Sequence, residues 1–199
     1  IIDKYGADTA RWFMMSDSPP DRDLEWTETG VEGSFRFINK VWKFANDINK
    51  EKNDDNEKLF ENDKIFLKEL NLYIIKITDN IEKFHFNKVI ANIYELTNFA
   101  QKQYDTKKVN KKTLDEFINT YAKLIHPVVP HLSEEIWKLF KNKGMVINES
   151  WPLSKNIEAD LSNIKIKIAL QINGKTKLIM DIDEKANQKD VEKIAFKDK

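Results

Sequence analysis

The side chains with chemistry to offer in this 199-residue chain are chiefly cations. Arg36, Lys40 and Lys43 fall at i, i+4 and i+7, which puts them on one face of a helix near its positive start. Lys175 and Lys177 come soon after Asn173-Gly174 and read as the uncompensated charges of a hairpin tip. Groups of this kind neutralise phosphates, which positions a nucleic acid without reading its bases. An ordinary solvated face is the competing reading of the helical set.

Other candidates point to structure. Asp8 and Arg11 stand at i, i+3 and are expected to form an ion pair along one helix. His126 and His131 invite a metal, but helical ligand pairs sit at i, i+4 and there is no cysteine anywhere. Pro127 and Pro130 between them argue for a rigid corner, so no metal site is expected. Trp12, Trp26, Trp42, Trp137 and Trp151 could stack on unpaired bases. Trp42 and Trp137, however, lie on apolar helix faces and are expected in the core.

Composition sets outer bounds. Lys plus Arg equal Asp plus Glu at 33 each, so the net charge is zero and any nucleic-acid contact must come from local patches. Charge is uneven along the chain. Residues 1–35 hold three basic and eight acidic side chains, and residues 161–180 hold four lysines and no acid. The absence of cysteine excludes disulfides and thiolate metal sites and fits a reducing cytoplasm. No apolar run reaches the length of a membrane-spanning helix, and Asp3, Lys4 and Asp8 interrupt any signal-peptide core.

Periodicity supplies the elements that must position these residues. A helix over roughly Asp3 to Ser16 should end at Ser18-Pro19-Pro20. Thr29 and Glu32 have capping-box spacing for a long helix running to about Asn49. It carries Val31, Phe35, Ile38, Trp42 and Ala45 on one stripe, with Phe37, Val41, Phe44 and Ile48 beside it. A polar loop is expected over Glu51 to Glu61. The next helix spaces Phe66, Leu70, Tyr73, Ile77, Ile81 and Phe84 on one face. Asn87 should cap another, bearing Val89, Ile93, Leu96 and Ala100. The lysine-rich connection Lys107 to Lys112 leads to a helix with Leu114, Phe117, Ile118, Tyr121 and Ile125. After the His126–His131 corner a short helix starts either at Pro130 or with Ser133 as its cap, with Glu134 and Glu135 favouring its positive end. These lengths and short connections suit an antiparallel helical bundle.

After Ser162 the period becomes two, with Ile164, Ile166, Ile168, Leu170 and Ile172 alternating with Lys165, Lys167, Ala169 and Gln171. A two-residue loop at Asn173-Gly174 would set Leu170 opposite Lys177. A three-residue loop instead pairs Leu170 with Leu178, Ile168 with Met180 and Ile166 with Ile182. It also sets Lys167 opposite Asp181 and Lys165 opposite Asp183, and is the expected register. Asn187 should cap a last helix containing Val191 and Ile194. The chain is thus mainly α, a bundle followed by the beginning of a small, incomplete α+β domain. The expected division is 1–26 as a connection, 27–160 as the bundle and 161–199 as the second domain.

Several motifs carry a resemblance. Tyr5-Gly6-Ala7-Asp8-Thr9-Ala10-Arg11-Trp12-Phe13-Met14 and Asp23-Leu24-Glu25-Trp26 resemble the region after the catalytic core of bacterial-type leucyl-tRNA synthetases. Gly30-Val31-Glu32-Gly33, Arg36-Phe37 and Val41-Trp42 continue it. His126-Pro127-Val128-Val129-Pro130-His131-Leu132-Ser133-Glu134-Glu135-Ile136-Trp137 is similar to a motif shared with valyl and isoleucyl enzymes, which identifies the helical anticodon-binding-type domain. Gln171-Ile172-Asn173-Gly174-Lys175 resembles the opening hairpin of the leucyl C-terminal domain. There Thr176-Lys177-Leu178 departs from the Arg-Gly usual in the family.

The resemblance implies a leucine–tRNA ligase that uses ATP and Mg²⁺, acts as a monomer in the cytoplasm and takes leucine-specific tRNA as partner. It implies that the catalytic and editing domains lie outside this chain, so that no catalytic, editing or zinc residue falls on it and the piece alone is inactive, without a cofactor of its own. The Asp8–Arg11 helix would buttress the ATP-handling loop of the intact enzyme. The alternatives are the same domain from a valyl or isoleucyl enzyme, or a helical module that binds protein and no RNA.

Overall fold

Gly6 divides the first expected helix. In the computed structural model, which describes residues 2–16, 23, 25–51, 61–154, 165–172, 175–183 and 191–193, α1 covers Ile2–Tyr5 and α2 covers Ala7–Ser16. Gly6 between them has φ 83°, a left-handed conformation that only glycine adopts freely. The stop at Ser18-Pro19-Pro20 and the cap at Asn187 lie outside the described residues.

The long helix α3 spans Glu28–Lys50 and is capped by Thr27, not Thr29. The Thr27 side chain accepts from the Gly30 amide at 3.3 Å. Glu32 does not reach back as a capping-box partner. It instead accepts from the Tyr5 hydroxyl at 3.3 Å. The inward face is Val31, Phe37, Val41, Phe44, Ala45 and Ile48, while Ile38 and Trp42 are half-buried and Phe35 is exposed. A helix with two adjacent apolar stripes can turn either inward, and α2 decides which. Trp12 of α2 stacks on Phe37 at 4.7 Å and so pulls the second stripe into the core.

Helices α4, Glu61–Glu82, and α5, Phe86–Asp105, run antiparallel. Their contacts step in opposite directions along the two chains: Asn80 to Asn92 at 3.0 Å, Tyr73 to Glu95 at 3.3 Å, and the Phe66 and Phe99 rings at 5.3 Å. Phe84 lies beyond the end of α4 with φ 57° and is 66% exposed, so it leaves the stripe assigned to it. His85, not Asn87, holds the cap position of α5, and its side chain makes no capping bond.

Helix α6, Lys111–Ile125, is capped by Asn110, whose side chain accepts from the Thr113 amide at 2.9 Å. Asp63, fully buried at the start of α4, accepts both the backbone and side-chain N–H groups of Asn110 at 2.9 Å. Helix α7, Pro130–Leu139, begins at Pro130. Ser133 therefore sits inside the helix, buried, and donates to the Ala122 carbonyl at 2.7 Å. Glu134 serves a different terminus from the one expected, accepting the Val146 and Ile147 amides at 3.0 and 3.3 Å where a short 3-10 turn, Val146–Asn148, begins. The core closes over Phe66, Phe117, Tyr121, Ile93, Leu96 and Ile136, all essentially inaccessible.

Residues Ile1–Ser154 form one compact unit and Lys155–Lys199 a second. In the second, β1, Lys165–Ile172, pairs antiparallel with β2, Lys175–Asp183. Leu170 pairs with Leu178, Ile168 with Met180, Ile166 with Ile182, Lys167 with Asp181 and Lys165 with Asp183. Nearer the turn the frame changes: Gln171 faces Thr176 and Ile172 faces Lys175. The turn therefore has the two-residue register, and a bulge that leaves Lys177 as the extra residue restores the apolar pairing below it. Met180 and Ile182 are buried on the apolar face of this hairpin, and Lys177 is exposed.

Candidate nucleic-acid interface

The corner between α6 and α7 is the rigid reference for the bundle surface, and its rigidity comes from α2. Val129, at the cap position of α7, makes no side-chain capping bond. Asp8 supplies the missing acceptor from 123 and 124 residues away. One carboxylate oxygen accepts the Leu132 amide at 2.7 Å, and the other takes the His131 amide at 3.4 Å and His131 Nδ1 at 2.8 Å. These are the second and third residues of the helix, whose amides a cap side chain ordinarily serves. Arg11, one turn further along α2, donates from Nε to the Val128 carbonyl at 2.9 Å and from Nη2 to the Pro127 carbonyl at 2.7 Å.

Asp8 and Arg11 thus do not form the ion pair expected of them. Each side chain is drawn to backbone groups that the proline-rich corner leaves without a helical partner, since proline offers no amide hydrogen. His126 and His131 diverge. His126 Nδ1 approaches Ser133 Oγ at 3.3 Å, whereas His131 faces Asp8. Trp137 is buried with its Nε1 donating to the Lys143 carbonyl at 3.3 Å, and Lys123 lies 5.4 Å from its ring centre. Trp12 is fully buried and donates to the Tyr94 hydroxyl at 3.2 Å, and Trp151 donates to Thr78 at 2.9 Å. Trp26 alone among the five is exposed, at 42%, against Phe13.

Helix α3 presents the three expected cations with little neutralisation. Arg36 lies 3.9 Å from Glu32, a loose pair with both side chains largely in water. Lys40 donates to the neutral Asn98 side chain at 2.8 Å and makes no ion pair among the described residues. Lys43 is exposed and makes no ion pair among the described residues. An exposed ion pair of this kind contributes at most ~1 kcal/mol, so a phosphate can displace Glu32 from Arg36 at small cost. In the hairpin unit Lys177 is exposed at the bulge, and Lys175 takes its place at the start of β2. Among the described residues no group of three or more His, Cys, Asp or Glu side chains could hold a metal ion. No helix among them is long and apolar enough to cross a membrane.

Comparison with known proteins bears on this arrangement. Residues 63–193 match the family described as the anticodon-binding domain of tRNA ligases. A leucine–tRNA ligase of Jannaschia sp. (strain CCS1) is 37% identical over 202 residues, covering 100% of this chain and 23% of its own length. That of Wolbachia pipientis subsp. Culex pipiens (strain wPip) is 36% identical over 196 residues, covering 98% of this chain and 23% of its own. The crystal structure of an Agrobacterium radiobacter K84 LeuRS–tRNA–LeuAMS ternary complex shares the fold. Its TM-score is 0.69 at 24% identity, over 98% of this chain and 25% of that one. The chain therefore spans less than a quarter of the length of the curated relatives named here. With the family match running over more than half of the chain, and leucine–tRNA ligases aligning along nearly all of it, the chain belongs to the anticodon-binding domain family of tRNA ligases in the form that leucine–tRNA ligases carry.

Proposed function

We propose that this chain is the tRNA-holding C-terminal part of an enzyme that joins leucine to its tRNA. The observation that carries this reading is the alignment of leucine–tRNA ligases with the entire chain at 37% identity. On this reading residues 1–26 connect the catalytic part to the bundle of 27–160, and 161–199 open the C-terminal domain. ATP and Mg²⁺ are handled by the catalytic part, and the whole protein works as a cytoplasmic monomer. Arg36, Lys40 and Lys43 on α3, with Lys175 and Lys177 on the hairpin, neutralise phosphates of leucine-specific tRNA. Their binding energy orients the acceptor end toward chemistry performed elsewhere. The locked corner keeps α3, α6 and α7 from shifting under that load.

Titrating the chain with leucine-specific tRNA at several salt concentrations tests the reading. Phosphate-driven binding must weaken steeply as salt rises, and each contact removed should lower the slope of log K against log salt by about 0.7–0.9. Replacing Arg36, Lys40 and Lys43 by Gln should flatten the slope, as should replacing Lys175 and Lys177. The isolated chain should show no leucine-dependent ATP–pyrophosphate exchange. An absence of tRNA binding at low salt, with a folded chain, would overturn the reading in favour of a protein-binding module.

A further inference from the structure

A second basic surface lies at one end of the bundle, built from two stretches about 30 residues apart. Residues 102–112, the end of α5 and the start of α6, carry five lysines against the single acid Asp105. Residues 138–143, the end of α7 and the adjoining turn, carry three lysines and no acid. The antiparallel packing of α6 and α7 brings the stretches together. Lys111 of α6 lies 5.6 Å from the ring centre of Phe140, and Asn142 donates to Asn119 at 2.7 Å.

Lys107, Lys108, Lys112, Lys138, Lys141 and Lys143 are all exposed, and none makes an ion pair among the described residues. Of the acids near them, Asp115 pairs with Lys111, Asp63 holds Asn110 and Glu61 pairs with Lys64, while Asp105 and Glu135 are exposed. Glu116 is a further, exposed acid on α6.

Helix stability does not account for this placement. Lys111 and Lys112 occupy the first turn of α6, which contains no acid, although the positive end of a helix disfavours cations. Lys107 and Lys141 have φ of 50° and 57°. Each closes a helix in the left-handed position where glycine is the usual residue. Lys107 N donates to the Tyr104 carbonyl and Lys108 N to Gln103, and the same pattern joins Lys141 to Lys138 and Asn142 to Trp137. A lysine in that conformation costs about 1–2 kcal/mol relative to a relaxed backbone, which glycine avoids.

We propose that this lysine cluster is a second phosphate-binding surface of the chain and takes a stretch of tRNA backbone. The proposal rests on the tRNA-holding reading and adds the surface that performs it. Lys102 extends the cluster along α5, on the same stripe as the Asn98 that contacts Lys40, so positive charge continues toward the α3 set. A surface of exposed ammonium groups suits repeated phosphates, whose contacts position a nucleic acid without base readout.

The test compares the 199-residue chain with two variants in salt titrations against leucine-specific tRNA. The first carries Lys107→Gly and Lys141→Gly, which relieve the left-handed strain and are expected to raise the melting temperature. The second carries Lys108→Gln and Lys112→Gln, which remove cations from exposed positions at or beside a positive helix end. Each should bind tRNA several-fold more weakly, and all four substitutions together at least tenfold more weakly, with the salt slope lower by about 3. Weaker binding by a variant of equal or higher melting temperature is the supporting result. Unchanged affinity and slope in the fourfold variant, while Arg36→Gln, Lys40→Gln and Lys43→Gln reduce binding, would overturn this inference and leave the functional reading standing. Failure of the unaltered chain to bind tRNA would overturn both. Tighter capture of polyglutamate than of tRNA, lost in the fourfold variant, would assign the surface to an acidic protein instead.

Discussion

The Asp8 carboxylate accepts the Leu132 amide at 2.7 Å across 124 residues of sequence, and so caps a helix to which it does not belong. Asp8 is 8% exposed, and Arg11 beside it closes the carbonyl side of the same corner. Asp8→Ala should therefore destabilise the chain by about 1–2 kcal/mol, the range of a lost helix cap. Arg11→Ala should cost about 1 kcal/mol through two charge-assisted bonds at a partly solvated site. Arg11→Lys should fail to restore it, because one ammonium cannot reproduce the two-pronged geometry. Urea denaturation with constant m-values checks both. Wild-type stability in Asp8→Ala would show that water caps α7 equally well.

Two glycines of α3 should respond in opposite directions to the same substitution. A Cβ on Gly30 would stand 2.5 Å from Phe13 Cε2 and 2.8 Å from Thr27 Oγ1, whereas on Gly33 its nearest neighbour is Arg36 Nη2 at 3.9 Å. Gly33→Ala should gain stability of about 0.5–1 kcal/mol from helix propensity. Gly30→Ala must displace the buried Phe13 ring or the cap, and overpacking of about 1–3 kcal/mol exceeds the propensity gain. Thermal melts of the two variants side by side decide the matter; a rise in both would mean that α2 yields easily.

Stability should fall above about pH 10. Tyr121 is buried, and burial pushes its hydroxyl well above the ordinary tyrosine value. The Thr97 hydroxyl spends its hydrogen on the Ile93 carbonyl at 2.7 Å, so Tyr121 is the donor in its own 2.7 Å bond to Thr97. Burial, with Glu95 nearby, raises Tyr73 in the same sense. Burial and the hydrogen bond to Glu51 push Tyr104 up to about 12. For a group whose folded pKa lies above its unfolded value, the stabilisation is fully present below the unfolded pKa and disappears as pH rises through the folded one. Each tyrosine adds a slope approaching about 1.4 kcal/mol per pH unit above pH 10. In Tyr121→Phe the slope should be shallower by one such contribution, at a cost of about 1 kcal/mol at neutral pH. An unaltered slope would exclude Tyr121 from the alkaline transition.

Much of this architecture is readable from local pattern. The stripes Phe66, Leu70, Tyr73 and Ile77, and Val89, Ile93, Leu96 and Ala100, point inward as their spacing predicts. Side-chain direction in a helix comes from a fixed turn of about 100° per residue, so such stripes need no knowledge of the partner. The apolar cross-strand pairs of the hairpin were legible because period two leaves few registers that bury isoleucine. The turn was not, because a bulge absorbs a one-residue mismatch and leaves no mark in the alternation. Helix starts slipped from Thr29 to Thr27 and from Asn87 to His85 because several neighbouring residues can each end a helix. Packing of α2 against Gly30 and the left-handed turn at Phe84 select among them.

The sequence by itself determined that the chain is mostly helical, that its last part changes period, and that its motifs resemble a leucyl-type ligase. It also determined the cations on α3, because i, i+4, i+7 spacing is a property of the helix alone. Tertiary structure decided what Asp8 and Arg11 do. Their spacing permitted a local pair, but unsatisfied amides and carbonyls at a distant corner compete better for each charge. It also decided that the lysine-rich start of α6 meets the end of α7, where Lys111 lies against the Phe140 ring. Charge accumulates where helix ends meet in space, and no count along the chain records that meeting.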